Sequence, residues 1–475
     1  MGMQSELTKL TAAELGDKVR TRELSPVEIV EAHLDRIASY NSTYKAFITV
    51  TADEALAAAR AAEAEITAGQ YRGPLHGIPY GAKDVFDTAG IRTTHGSSFF
   101  RDNIPAKDSE CVVRLQEAGA IMIGKCNTHE FAGASTTINK NYGTARNPWD
   151  TERIVGGSSG GSACALAARF VPIATGSDTG GSIRTPAALC GVVGLKPTKG
   201  LISLRGIYPN VPTFDHAGPM ARTVEDVAIA LQVLAGFDPL DSQSIDMTVP
   251  DYRKGIDAGV VGMKIAVSPS FVQNAEVDGE IMEAFEEALN TFRGLGGMVE
   301  TVEFSGADRF HDLFRRIAGP EFSEVHRRLF TQDPNAFDPE VRERLDWSFE
   351  ITLDEYVRAL RERELLIREV DAMMNDFDVL VSPSVPVAAA LIATRTSLLD
   401  GEQVDYKNRH RPFLSPHNLT GYPSISLPMG FNREGLPLSL QIAAKRWQET
   451  TILRVAKAFE DSRPDLRERV PNLSN

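Results

Sequence analysis

Apolar and polar positions along the chain follow two spacings, one typical of short buried strands and one typical of helices. CVVRLQEAG (111–119) and SACALAARF (162–170) carry apolar residues at helical spacing. They alternate with compact apolar runs that predict strands, which makes an α/β protein the expected fold: a single large mixed β-sheet covered by helices on both faces. The runs are AIMIG (120–124), FVPIAT (170–175), GVVGL (191–195), FDVLVSP (377–383), SISLPMGF (424–431) and LSLQIAA (438–444).

Start signals for helices mark the first seventy residues, which we interpret as helical, and several later segments. The stretch 25–28, Ser-Pro-Val-Glu, is a capping box with proline at the first helical position. Thr51 to Glu54 repeats the signal before the alanine-rich ADEALAAARAAEAEI. The pattern also predicts a capped helix over 223–236, a long helix over about 354–375 and a final amphipathic helix near 449–461.

Composition and charge narrow the function classes. The net charge of −14, from 50 basic and 64 acidic residues without a lysine/arginine block, argues against a nucleic-acid-binding surface. No apolar run is long enough to span a bilayer, and the start of the chain has no signal-peptide pattern. The four cysteines lack CxxC spacing, so we expect buried free thiols and a cytoplasmic protein. No histidine pair has metal-ligand spacing, so neither a metal nor a cofactor is expected.

Glycine is concentrated in one part of the chain, which directs attention to two loops. Eleven of the 38 glycines lie within residues 156–206. They form GGSSGGSA (156–163) and GSDTGGSIRTP (176–186), each placed where a predicted helix begins. Free backbone N–H groups face a ligand at such places. The pattern argues against a phosphate-binding loop, because no lysine follows the glycines as GxxxxGK[ST] requires.

A nucleophile elbow is one hypothesis for the first loop. G-x-S-x-G is matched twice, centred on Ser158 and on Ser159, and His410 or His417 could then serve as the base. An elbow needs a strand immediately before the serine, and PWDTERIV (148–155) is a poor strand by pattern. The hypothesis is therefore weak.

A lysine is the better candidate base. Lys83 lies in GIPYGAKDVFDTAG, among apolar and small residues. Burial there would disfavour the charged form and lower the pKa of the amine, so that it accepts a proton near neutral pH. The alternative is a surface lysine paired with Asp84.

Taken together, these motifs resemble the amidase signature family. The resemblance rests on GIPYGAKD, GGSSGGSA and GSDTGGSIRTPAALCGVVGLKPT, and on GKCNTHEFA (124–132) and GTARNPWD (143–150). It implies one amidase domain over 1–475 with the signature core at 70–235. Residues 237–376 then form a helical elaboration that shapes the substrate pocket.

The resemblance implies a Ser-cisSer-Lys triad without a metal. Lys83 is the base, Ser158 is the bridging serine after a cis Gly157–Ser158 bond, and Ser182 is the nucleophile. Ser159 is expected to have a structural role.

Further site residues are implied by the same motifs. Asp178 and Arg184 are expected to brace the nucleophile loop. The oxyanion hole is expected to consist of backbone N–H groups, and the pocket wall to include three residues near the signature core. The oxyanion residues are Thr179, Gly180, Gly181 and Ser182, and the pocket residues are Gly133, Ser135 and Thr136.

The function implied is hydrolysis of a small-molecule carboxylic amide through an acyl-enzyme, with aryl esters and carbamates as further substrates. The alternative is the glutaminase subunit of a tRNA-dependent amidotransferase. Such glutaminases hold the glutamine carboxylate with an arginine and the amino group with an acid. Our alignment puts those positions near Glu364 and Pro412, which argues against glutamine. A homodimer is ordinary for the family, and a non-catalytic binding protein would have lost a triad member.

Overall fold

The computed structural model describes residues 6–273, 275–407, 409 and 411–473. Its α-helices are α1 (Ala12–Arg20), α2 (Pro26–Tyr44), α3 (Ala52–Thr67), α4 (Glu110–Glu117), α5 (Gly160–Ala167), α6 (Arg184–Cys190), α7 (Val224–Leu234), α8 (Pro269–Gln273), α9 (Gly279–Gly294), α10 (Arg309–Gln332), α11 (Pro339–Ser348), α12 (Leu353–Met373), α13 (Arg411–Thr420), α14 (Glu449–Ser462) and α15 (Pro464–Glu468).

The strands form one large sheet and two small ribbons. They are β1 (Phe47–Val50), β2 (Pro79–Lys83), β3 (Ile121–Cys126), β4 (Arg146–Asn147), β5 (Asp150–Ile154), β6 (Ile173–Ser177), β7 (Val193–Lys196), β8 (Ala217–Ala221), β9 (Lys264–Val267), β10 (Met298–Thr301), β11 (Val379–Pro383), β12 (Thr396–Leu399), β13 (Glu402–Asp405), β14 (Ser424–Phe431) and β15 (Pro437–Ala443).

The main sheet has eleven strands in the order β1-β3-β2-β6-β8-β7-β14-β15-β11-β9-β10. β2 runs parallel to both β3 and β6, and β9 runs parallel to β10 and β11, whereas the remaining pairs are antiparallel. The pairs β4–β5 and β12–β13 are separate ribbons. The sheet is therefore mixed, as the alternation of strands and helices predicted.

Helices cover both faces of this sheet. Neighbouring residues of one strand belong to different hydrophobic clusters. Ile173 of β6 belongs to a cluster that includes residues of α1, α4, α7, α9 and α14. Ala174 belongs to a cluster that includes residues of α2, α3, α5 and α6. Because successive side chains of a strand point to opposite faces, these two clusters lie on opposite sides of the sheet. The predicted architecture is confirmed.

A third cluster, built largely from α10 to α13, covers one end of the signature core. The charged segment 237–376 supplies α8 to α12, but it is not purely helical. It also contributes β9 and β10, which extend the sheet at one edge. These strands have four residues each, and β10 is largely exposed, so they lack the continuous apolar run of a buried strand.

The six predicted strands and the helices at 223–236, 354–375 and 449–461 are confirmed to within a few residues. The first seventy residues also contain β1, which the helical interpretation missed. Ser25 forms the predicted capping box, whereas Thr51 begins α3 without a side-chain cap and donates instead to Met122 O at 3.3 Å. The cysteines are free and buried. Within the described ranges, no helix is both long and apolar enough to cross a membrane.

The glycine-rich start of α5 is explained by close packing, and this predicts an asymmetry between two helical glycines. A Cβ on Gly161 would lie 2.3 Å from Asn127 N and 2.6 Å from Ala46 O, both backbone atoms. We expect Gly161→Ala to lower the free energy of unfolding by about 1–3 kcal/mol, as overpacking does.

Gly294 of α9 is the matched control, since no atom lies within 4 Å of its ideal Cβ position. Gly294→Ala should leave stability unchanged or raise it by up to about 1 kcal/mol, because alanine favours the helix. Urea denaturation followed by circular dichroism measures both, and equal effects of the two substitutions would contradict the packing argument.

Candidate active site

The site begins where two adjacent parallel strands end. Lys83 is the last residue of β2 and Ser177 is the last residue of β6. Lys83 is fully buried, and its Nζ lies 2.7 Å from Ser158 Oγ and 2.8 Å from Ser177 Oγ. The carboxyl edge of parallel strands is the usual place for a site in an α/β sheet. Sequence reasoning missed Ser177, although it lies within the loop that the glycine content singled out.

The Lys83 amine is surrounded by hydroxyl groups rather than by a carboxylate. Burial lowers the pKa of Lys83 to about 7, although the charges of Asp178 and Asp215 act to raise it. The amine is therefore half-neutral near pH 7, and the alternative of a surface lysine paired with Asp84 is wrong. Asp84 instead accepts from Thr94 and lies 3.9 Å from Lys125.

Ser158 is held in place by the main chain around it. The Gly157–Ser158 peptide bond is cis, as the family resemblance implied. The Ser158 carbonyl accepts hydrogen bonds from His129 N at 3.2 Å and from Thr128 Oγ1 at 3.0 Å. A Cβ on Gly157 would lie 2.8 Å from Thr136 N, so only glycine fits there. The hydroxyl is thereby aimed at Lys83.

Ser159 has a different environment from its neighbour. Its hydroxyl donates to the Ser177 carbonyl at 3.2 Å and accepts from Ser177 N at 3.3 Å. Its own N–H donates to the Ser182 carbonyl at 3.1 Å. Ser159 thus joins the two serine loops through the backbone, which supports the structural role expected for it.

Ser182 stands at the entry to α6 and is partly exposed, unlike the fully buried Ser158. In the part of the chain that the structure describes, no hydrogen bond joins the two hydroxyl groups. The structure therefore brings together Lys83, Ser158 and Ser177 directly, and places Ser182 beside them through the backbone contact of Ser159.

Asp178 and Arg184 organise the nucleophile loop from inside. The fully buried guanidinium of Arg184 donates to both Asp178 oxygens at 3.0 Å. Burial would raise the pKa of Asp178, but the charge of Arg184 and its hydrogen bonds lower the pKa overall. Arg184 also bonds Gln441 of β15 and Asn418 of α13, so the loop is tied to the C-terminal half of the sheet. This geometry supports the bracing role expected for the pair.

The backbone N–H groups of the loop are not all free, which corrects the expectation that the Gly181 N–H belongs to the oxyanion hole. The N–H of Gly181 donates to Asp178 Oδ1 at 2.8 Å and so is already used. The N–H groups of Thr179, Gly180 and Ser182 have no hydrogen-bond partner among the described residues. Gly181 has φ +119°, a conformation that favours glycine, and its contribution is to the turn rather than to an oxyanion.

A narrow cavity of about 40 Å³ opens above Ser182. Gly133 and Ser135 line it, together with Thr179 and Gly180. Thr136 does not line it: that side chain is buried and its Oγ1 lies 3.3 Å from Glu340 Oε2. The helices α10 and α11 add Phe314, Ala318, Arg344 and Trp347 to the wall. The segment 237–376 thus supplies four of the residues that line the cavity.

Arg344 is the charged side chain of the cavity wall, and sequence reasoning missed it. Its guanidinium stacks 3.7 Å from the centre of the Phe322 ring. Its nitrogens donate to Gly133 O at 3.0 Å and to Asn210 Oδ1 at 3.2 Å. Glu364 lies on an exposed face of α12 and Pro412 lies on α13, and neither lines the cavity. The sequence argument from these two positions against a glutamine substrate therefore fails.

The elbow hypothesis is not supported by the geometry. A strand does precede the loop, since PWDTERIV contains β5, but β5 belongs to a two-stranded ribbon and not to the main sheet. Ser158 is bonded to Lys83, and among the described residues neither Ser158 nor Ser159 is hydrogen-bonded to His417. Burial lowers the pKa of His417 far below its usual value. His410 lies outside the described residues.

Among the residues described, no group of three or more His, Cys, Asp and Glu side chains could hold a metal ion.

Known proteins resemble this chain along nearly its whole length. The Amidase family model matches residues 28–453. A glutamyl-tRNA(Gln) amidotransferase subunit from Carboxydothermus hydrogenoformans is 37% identical over 481 residues, covering 96% of this chain and 98% of that protein. An amidase of Pseudomonas putida is 39% identical over 458 residues, covering 96% of each protein.

Solved structures agree with this relationship. One is described as an unexpected vestigial protein complex that reveals the evolutionary origins of an s-triazine catabolic enzyme. It superimposes with a TM-score of 0.91 at 32% identity and covers 98% of this chain and 100% of that one. Sequence and structure lead to one conclusion: this chain belongs to the amidase family and is an amide hydrolase.

Proposed function

We propose that the protein hydrolyses a carboxylic amide through an acyl-enzyme formed on Ser182, with Lys83 as the base and Ser158 as the proton carrier between them. The observation that supports this most is the contact of 2.7 Å between the buried Lys83 amine and the Ser158 hydroxyl. An amine with a pKa of about 7 accepts a proton under conditions in which an ordinary lysine is fully charged.

The reaction begins with two proton shifts. As Ser182 Oγ attacks the amide carbon, its proton passes to Ser158 Oγ and the Ser158 proton passes to neutral Lys83. The contact of 2.7 Å between Lys83 and Ser158 supports the second transfer, and the first requires the Ser182 hydroxyl to turn toward Ser158. Return of the proton along the same path protonates the leaving amine, and water then releases the carboxylic acid by the same relay.

The tetrahedral intermediate carries a negative oxygen that needs donors. The N–H groups of Thr179, Gly180 and Ser182 supply them, because Gly181 is bonded to Asp178. Loss of one such donor typically costs about 10²–10³ in rate. The Asp178–Arg184 pair holds these N–H groups in position without touching the substrate.

The position of Arg344 in the cavity wall favours a substrate that has a carboxylate near the reacting amide. A guanidinium at the cavity wall binds a carboxylate well and repels an amine. Glutamine has such a carboxylate, and one relative, at 37% identity, belongs to a glutamyl-tRNA(Gln) amidotransferase. A glutaminase that acts within a larger complex is therefore the second candidate, beside a stand-alone amidase that acts on acidic amides, aryl esters or carbamates.

Covalent labelling tests the nucleophile. We expect treatment with a fluorophosphonate to add one adduct, which peptide mapping places on Ser182. Ser182→Ala should lose the adduct and at least about 10⁴-fold in amide turnover. Its fold should be unchanged, because Ser182 is a partly exposed residue and its replacement by alanine removes one oxygen.

Lys83→Ala should also lose the adduct, since the serine then has no base. An adduct on Ser158 or Ser159 would contradict the assignment, and so would strong residual turnover in the Ser182 variant.

The pH dependence of kcat/KM tests the base. Below a pKa of about 7, Lys83 is protonated and cannot accept a proton, so kcat/KM should rise about tenfold per pH unit and level off above pH 7. Lys83→Arg, which stays charged, should be inactive across the whole range. A profile that is flat between pH 5 and 8 would exclude Lys83 as the group that titrates.

Substrate charge tests Arg344. Arg344→Gln should raise KM about 10–100-fold for glutamine or for an acidic amide such as succinamic acid, because a charge-assisted pair is lost. KM for the neutral propionamide should change little, and kcat should change little for either substrate. Equal effects on the charged and neutral amides, measured by ammonia release, would contradict a carboxylate-binding role.

A further inference from the structure

A second cavity lies behind the two helices that carry the serine loops. It has a volume of about 340 Å³ and shares no lining residue with the cavity above Ser182. Its wall includes Ala167, the last residue of α5, and Cys190, the last residue of α6. A smaller cavity of about 230 Å³ adjoins it at Ala167 and Arg169. We call these two spaces together the rear cavity.

Six arginines line the rear cavity, together with Lys9 and three acids, Glu14, Glu460 and Glu468. Arg36, Arg169 and Arg222 lie at the chain that leaves α5, and two of these three are satisfied by carbonyl groups. Arg36 Nε donates to Ala168 O at 2.7 Å, and Arg222 donates to Val171 O at 3.2 Å and also to Leu10 O. Both therefore cap the chain that leaves α5.

The third arginine, Arg169, is different. Within the described residues its side chain forms no hydrogen bond and no ion pair, yet its Nε is shielded from solvent. Arg169 as a whole is partly exposed, but a shielded donor of a charged group is costly to leave without an acceptor, and an anion would supply that acceptor.

The electrostatics of the cluster lead to the same conclusion. The pKa of Arg222 is lowered to about 10, chiefly by burial, with the charges of Arg169 and Arg36 acting in the same direction and those of Asp226 and Glu14 against it. Burial also lowers the pKa of Arg169, with Arg36 again acting in the same direction and Glu6 against it. Like charges that repel one another in partly buried side chains are stabilised by an anion placed between them.

Apolar side chains form part of the wall of the rear cavity, beside the charged Glu460, Arg463 and Arg467. They are Trp149, Leu427, Phe459 and Leu466. A volume of about 340 Å³ is within the range of small-molecule sites. A bare inorganic ion would leave these apolar side chains without a contact. A carboxylate attached to an apolar or aromatic group can contact both the Arg169 guanidinium and the apolar residues.

We propose that the rear cavity binds a small organic carboxylate, whose oxygens pair with the Arg169 guanidinium and whose apolar part packs against Trp149 and Phe459. This site is separate from the cavity at Ser182 and does not depend on the function proposed for it.

Arg169 permits an unusually selective variant. Its φ is +60°, in the left-handed region just beyond the end of α5, where glycine is the preferred residue. Arg169→Gly therefore removes the guanidinium and at the same time relieves the backbone. If Arg169 served the fold alone, this variant would be less stable. If it serves a ligand, the variant is as stable as the parent or more so, and has lost binding.

The measurement is the thermal midpoint of the full chain at increasing concentrations of sodium benzoate, with sodium chloride at equal ionic strength as the reference. We expect a saturable rise, equivalent to about tenfold in the folding equilibrium at ten times Kd, or roughly 1–3 °C. The rise should persist in Arg344→Gln, which excludes binding beside Ser182. It should be weaker in Arg169→Lys and absent in Arg169→Gly.

Three outcomes would overturn the proposal. The first is a rise that disappears in Arg344→Gln and survives in Arg169→Gly, which would assign the carboxylate to the cavity at Ser182. The second is a rise with inorganic phosphate but none with benzoate, which would deny any role to the apolar wall. The third is no saturable rise with either probe, or a marked loss of stability in Arg169→Gly.

Discussion

Burial of an uncharged amine is the constraint on which the rest of the site depends. Lys83 ends a central strand of the sheet, and its amine reaches only hydroxyl groups, those of Ser158 and Ser177. A carboxylate in contact would keep the amine charged and useless as a base. The nearest acids act from farther away: Asp178 is neutralised by Arg184, and Asp215 accepts from Thr179 and from backbone N–H groups. The negative charges of the site thus serve to hold its loops.

That arrangement explains why residues distant in sequence form one site. Arg184 is buried without solvent, so every one of its donors needs an acceptor. The acceptors are Asp178 in its own loop, Leu414 O and Asn418 in α13, and Gln441 in β15. Because β14 lies next to β7 in the sheet and β15 lies next to β14, the C-terminal segment completes the support of a loop that begins more than two hundred residues earlier.

The sequence predicts a strand well when burial of apolar residues determines it, and poorly when contacts with neighbouring strands determine it. Long apolar runs such as SISLPMGF became strands as expected, because burial alone determines them. β2 and β8 were missed, since PYGAK and AGPMA are rich in small residues. Contacts with neighbouring strands require these residues to be small. A Cβ on Gly81 would lie 2.5 Å from Cys126 Sγ, and one on Gly218 would lie 2.2 Å from Leu195 O. Such contacts join distant residues and leave no local pattern.

The motifs located the serines and the lysine of the candidate site. Whether a backbone N–H there is free, as for Gly180, or already hydrogen-bonded, as for Gly181, depends on where a side chain such as Asp178 points.

The residues of the proposed relay are more deeply buried than the cavity-wall residues that we expect to select the substrate. Lys83 and Ser158 are enclosed by strands and helices on every side, so a change there disturbs the core. Arg344 and Trp347 lie on α11, a helix of ten residues with only three fully buried side chains. Substitutions on such a helix alter the cavity wall at little cost to the fold. If the proposed proton relay operates, this architecture allows the relay to stay unchanged while the cavity wall changes, and the charge on α11 is the feature we expect to affect the choice of amide.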